Sequence, residues 1–153
     1  MRTPLIVWFL ALNLFSIFSC GNPDEDFENI YKTPEFEEAF VRIATSVAAV
    51  STEKAFAGAD SLLKISENDY QKMKVQMLFA TLEQRQGNIA EAIARATLAA
   101  SVADRFKFKS WEVRIAGFLS TSYRGADLPT EARKYLTKAE IANSRLKAHP
   151  GYP

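Results

Sequence analysis

The sequence predicts an all-α domain of about six helices, arranged as antiparallel hairpins behind an N-terminal signal segment. Three observations predict it. After Asp26, apolar residues recur at intervals of three and four, and no alternating run of strand type appears. Helix-starting and helix-stopping residues stand between the periodic stretches, among them Pro34, Ser51, Gly87, Asn88, Gly125 and Pro129. The stretches between are short, which favours antiparallel neighbours.

The helices are read in order. Phe36, Phe40, Ile43 and Val47 make one stripe over residues 34–50, with Pro34 suited to a first helical turn. Ser51 and Thr52 offer an N-cap to a second helix, helical from about residue 54, whose face is Ala55, Ala59, Leu62 and Leu63. A break at 66–69 precedes a third helix over 69–86. Met73, Met77 and Ala80 face inward there, and Phe79 and Leu82 follow less regularly. Gly87 ends it in the position where a left-handed residue closes a helix. A fourth helix over 89–104 shows a narrow face of small residues, Ala92, Ala96 and Ala99, closed by Val102 or Ala103. A fifth over 108–124 turns Trp111, Ile115, Phe118, Leu119 and either Ser122 or Tyr123 inward. The sixth starts at Pro129 and carries Ala132, Tyr135, Leu136, Ala139, Ala142 and Leu146. Phe106 and Phe108 flank Lys107 in a loop; they either face solvent or pack beneath it.

Composition sets outer limits. The chain has 153 residues, enough for one domain, and with 48% apolar and 24% charged residues it is not disordered throughout. The single cysteine, Cys20, excludes an intramolecular disulfide. The net charge of +1 conceals an asymmetry. Residues 21–70 carry 11 acidic and 4 basic side chains, and residues 71–153 carry 7 and 14. Such a dipole orients a chain toward a charged partner, or it is the sum of solvated helix faces.

The first 19 residues read as a secretory signal. Arg2 supplies the positive start, and residues 5–18 are apolar except for Asn13 and Ser16, a length short for a membrane span. The run ends at Ile17-Phe18-Ser19-Cys20, which resembles a lipobox. That resemblance implies cleavage before Cys20, acylation of Cys20, export, and attachment to a membrane of the cell envelope through the lipid. Residues 20–33 then form an acidic tether, opening with Gly21-Asn22-Pro23-Asp24-Glu25-Asp26. The acidic run is similar to the signal that sends some Bacteroidetes lipoproteins to the outer surface. Residues 34–148 make the helical domain and 149–153 a tail.

Within that domain Ala80, Gly87, Ala92 and Ala99 stand at the spacing of a tetratricopeptide (TPR) repeat, in the segment Gly87-Asn88-Ile89-Ala90-Glu91-Ala92. A second copy runs through Leu119, Ser120, Tyr123, Ala132, Leu136 and Ala139, with Asp127 where the family has glycine. A third centres on Ala55, Ala59 and Leu62. The corresponding alanines Ala55, Ala92 and Ala132 lie 37 and 40 residues apart, longer than the roughly 34 of the family. Glu83 also stands where the family has tyrosine. The resemblance implies a short TPR-like solenoid of three stacked hairpins. The stretch 111–119, with Tyr123 and Arg124, further resembles the TPR sensor half of Bacteroidetes regulators that carry a helix-turn-helix domain. No segment of that DNA-binding type occurs here, so nucleic acid is not expected as a partner.

The residue inventory gives catalysis little to work with. His149 is the only histidine and falls in the tail, and no zinc-protease, phosphate-loop or nucleophile-elbow motif occurs. Neither a metal nor another cofactor is expected, and the expectation is a protein that is not an enzyme. Recognition is what the TPR resemblance implies, with a groove lined by the first helix of each hairpin. The matching positions are Lys74, Met77, Thr81 and Arg85 on the third helix, and Arg114, Gly117, Thr121 and Arg124 on the fifth. Their four cations suit an acidic peptide or a C-terminal carboxylate, or they form a solvated face. The expected function is protein–protein interaction by a membrane-anchored adaptor. Two alternatives are the sensory part of a truncated regulator and a structural subunit of an outer-membrane complex.

Overall fold

The computed structural model describes residues 28–47 and 49–148. The segment read as a signal, Cys20, the first part of the expected tether and the tail at 149–153 lie outside them. The described residues hold six helices and no strand: α1 (Pro34–Ser46), α2 (Thr52–Lys64), α3 (Asp69–Gln86), α4 (Ile89–Phe106), α5 (Lys109–Gly125) and α6 (Pro129–Lys147).

The helix ends have identifiable causes. Asn68 caps α3 by accepting a hydrogen bond from the Gln71 backbone N–H through its side chain. Pro34 and Pro129 open α1 and α6, where a missing N–H costs nothing. Three helices close on a left-handed residue: Gly87 at φ +83°, Lys107 at +59° and Asp127 at +58°. After each of them the next N–H reaches back five residues, Asn88 to Glu83, Phe108 to Ala103 and Leu128 to Tyr123. Asp127 thus does the work of the glycine expected at its position. Three boundaries differ from expectation. Helix α2 begins at Thr52 rather than near residue 54. Helix α1 stops at Ser46 rather than near residue 50, and the Ala49 and Val50 N–H groups both turn back to the Ser46 carbonyl. Helix α4 runs on to Phe106, and the left-handed Lys107 then folds Phe106 back onto Phe108, their rings stacked at 5.6 Å. Phe108 is fully buried; of the two placements open to this pair, packing beneath the loop is the one adopted.

Consecutive helices pack against each other, and α3 is shared by two cores. One core joins Phe36, Ala55, Ala59 and Leu62 to Val75, Leu78, Phe79 and Leu82. The other joins Tyr70, Met73, Met77 and Ala80 to Ala96, Ala99, Ala103, Trp111, Ile115 and Leu119. Helix α3 is therefore buried on nearly every side, which explains why its apolar pattern reads as irregular. The alanine face of α4 is wholly closed off, and side chains this small let the helices approach closely. On α6 the inward stripe is Ala132, Tyr135, Ala139, Ala142 and Leu146. Leu136, expected inside, is 50% exposed instead. It stands about 100° round the helix from Tyr135, whose larger ring takes the contact by stacking on Tyr123 at 5.3 Å.

Candidate partner-binding face

Alternate helices are fastened together by side-chain hydrogen bonds. Between α1 and α3, Lys74 donates to the Glu37 carboxylate. The α3 residue Gln71 also donates to the hydroxyl of Thr33, just before α1, at 3.1 Å. Between α3 and α5, Trp111 Nε1 donates to Tyr70 Oη at 3.3 Å near both helix starts, and Gln84 Nε2 donates to Ser122 Oγ at 3.0 Å near both ends. Start meets start and end meets end, so α3 and α5 run parallel. The sequence separations of these pairs are 37, 38, 41 and 38 residues. They match the spacing of Ala55, Ala92 and Ala132. The described residues therefore form an all-helical, repeat-like fold in which α1, α3 and α5 lie side by side.

The sequence-derived binding positions fall on this row of helices, but they divide into two groups. Lys74 and Met77, in the N-terminal half of α3, are 6% and 8% exposed. Helix α1 covers Lys74: its ammonium sits 4.3 Å from the Phe40 ring centroid, within 6 Å of the Phe36 and Tyr70 rings, and on the Glu37 carboxylate. Met77 packs in the core with Tyr70 and Trp111. Neither is open to a ligand, a correction to the groove as read from sequence. The other group remains accessible. Thr81, Arg85, Arg114, Thr121 and Arg124 are all exposed. Nothing lies within 4 Å of where a Cβ on Gly117 would stand, so the backbone there is approachable. Spacings of three and four put Thr81 with Arg85 on one face of α3, and Arg114, Gly117, Thr121 and Arg124 on one face of α5. The open stretch is thus the C-terminal half of α3 beside α5.

Electrostatics separate the cations further. Burial pushes Lys74 below the usual lysine value, while the bond to Glu37 pulls the other way. Arg114 is near enough to act on both Lys74 and Tyr70, and its guanidinium lies over the Trp111 ring at 5.3 Å. Arg85 and Arg124 sit in the last turns of α3 and α5, where a cation also offsets the helix dipole. Beside Arg85, residues Val47, Val50, Thr52, Ala55, Leu82 and Gln86 line a hollow of 120 Å³.

Several residues that organise this face were not assigned to it from the sequence. Glu37 is Lys74's partner, and their separation of 37 residues was the available signal. Gln71 is fully buried and ties Thr33, Tyr31 and the Glu67 N–H together. Arg95 reaches from α4 to Gln76 at 3.1 Å and lies 4.8 Å from the Phe79 ring centroid. Among the described residues no three potential metal ligands come together, and no helix is long and apolar enough to cross a membrane. No protein-family model matches the chain, and neither a curated protein nor a solved structure does.

Proposed function

We propose that this protein is a lipid-anchored adaptor of a bacterial cell envelope, whose three hairpins form a short TPR-like solenoid that binds a protein or peptide partner and catalyses no reaction. The observation that carries the reading is the row of α1, α3 and α5, bonded at separations within two residues of the alanine spacing. Solenoids of this kind present such rows as binding surfaces. Support for an acidic ligand comes from Arg85, Arg114 and Arg124, which stand exposed on that row with hydroxyls at Thr81 and Thr121. The anchor rests on Ser19-Cys20 at the end of the apolar run. Two variants test the two halves. Cys20→Ala releases the protein from membranes, and its retention in the detergent phase contradicts the anchor. Arg114→Glu with Arg124→Glu leaves a folded protein that loses its crosslinked partner on affinity purification. A partner captured equally well by that variant removes this face from consideration.

A further inference from the structure

Helix α4 buries one side and leaves the other open. Ala92, Ala96, Ala99 and Ala103 are wholly buried on the side toward α3 and α5. On the far side Glu91, Ala94, Leu98, Ser101 and Arg105 are exposed, Leu98 by 57%. These five stand three, four, three and four residues apart, the repeat that holds one stripe of a helix against a second helix along its length. From Glu91 to Arg105 the stripe runs about 21 Å. No charged residue occurs from 96 to 103. The exposed side of α6, by contrast, carries Arg133, Lys134, Lys138, Arg145 and Lys147. The Ser101 hydroxyl donates to the Leu98 carbonyl at 2.7 Å, so its hydrogen is satisfied within its own helix.

The stripe is complementary to its own reverse. Turned end for end about Leu98, it sets Glu91 opposite Arg105, Ala94 opposite Ser101, and Leu98 opposite itself. The small side chains on either side of Leu98 let a second helix approach closely. Pairing in the same direction sets Glu91 on Glu91 and Arg105 on Arg105, which like charge opposes. The other two charges of α4 are already engaged. Arg95 bonds Gln76 at 3.1 Å and lies over the Phe79 ring, and Asp104 pairs with Lys107 at 3.3 Å, about 100° round the helix from Arg105. Glu91 has no ion-pair partner among the described residues, and the Arg105 guanidinium rests over the Phe106 ring at 5.7 Å. We propose that this stripe is the seam of a homodimer, in which α4 of a second copy lies antiparallel across Leu98 about a two-fold axis. Each dimer then holds two contacts between Glu91 and Arg105. The seam uses none of Arg85, Arg114 and Arg124, so the dimer presents the face of α3 and α5 twice. The proposal depends neither on that face nor on the Cys20 anchor. A seam of one helix is smaller than a standard interface, and dissociation in the micromolar range is expected.

The test uses the full chain with Cys20→Ala, so that an introduced cysteine is the only thiol. Leu98→Cys, on the axis, is treated in intact cells with a short, permeant bismaleimide. The expected product has twice the mass of the chain, and Thr137→Cys, exposed on α6, gives none. Adding Glu91→Arg or Arg105→Glu to Leu98→Cys lowers the yield on the order of tenfold, because either change turns two attractions into repulsions. Both changes together restore the yield, which a merely disturbed helix does not do. An equal product from Thr137→Cys, charge variants without effect, or single losses that the double variant leaves unrestored overturn the proposal. So does a product whose mass identifies another protein in place of the second copy. Absence of any product is read together with sedimentation of the purified, detergent-extracted chain that keeps Leu98. A parent that stays monomeric throughout the micromolar range, or a parent dimer that Leu98→Lys leaves intact, overturns the proposal. A parent dimer that Leu98→Lys converts to monomer upholds it.

Discussion

Lys74 on α3 and Glu37 on α1 form an ion pair beneath the Phe40 ring, and the second carboxylate oxygen of Glu37 is buried with no partner. This pair takes Lys74 out of the proposed binding face and fixes the first hairpin to the second. Removing one partner of such a pair strands the other charge in a poorly solvated site. Lys74→Met is expected to cost about 2–4 kcal/mol in urea unfolding. Adding Glu37→Leu to it recovers most of that loss. A double variant no more stable than Lys74→Met contradicts this account of the pair.

Two glycines respond to the same substitution in opposite directions. Gly87 holds φ +83° with open space around it, so Gly87→Ala adds backbone strain alone and costs about 1 kcal/mol. Gly117 lies inside α5, also with open space, and Gly117→Ala stabilises the helix by about 0.5–1 kcal/mol. Thermal midpoints of the two variants, shifted down and up from the parent, check both at once.

Alkaline pH weakens the contact between α3 and α5. Burial pushes the Tyr70 phenol up to about 12, against the opposing effect of its bond from Trp111. Its contribution is fully present below the unfolded value near 10 and is lost as pH rises through 12, because the unfolded phenol ionises first. The unfolding free energy is expected to fall more steeply between pH 9 and 11 in the parent than in Tyr70→Phe, by about 1.3 kcal/mol. Parallel pH profiles for the two proteins remove Tyr70 from this role.

Much of the fold was legible because strong local signals agreed. Asn68 and Gly87 bracket α3 at both ends, and the alanine face of α4 reads directly as an interior. The misreadings share one cause, the choice between side chains that only tertiary packing makes. Leu136 and Tyr135 both suit the α6 stripe, and the ring opposite, Tyr123, decides for Tyr135. Lys74 lies on the same stripe of α3 as Thr81 and Arg85, and nothing local distinguishes it. Helix α1 returns over that stripe only at its N-terminal end, so Lys74 is covered and Arg85 is not. The pinning of Glu28 to Ser110 spans 82 residues and leaves no periodic trace.

The central claim is that the C-terminal half of α3 and the face of α5 from Arg114 to Arg124 together present a partner-binding face. A photoactivatable crosslinker placed at Thr121 in the full-length protein, irradiated in cells, tests it most directly. The account predicts one discrete protein adduct, lost when Arg124→Glu is added and retained when the crosslinker protein instead carries Lys138→Glu on exposed α6. No adduct at Thr121, or one indifferent to Arg124→Glu, contradicts it.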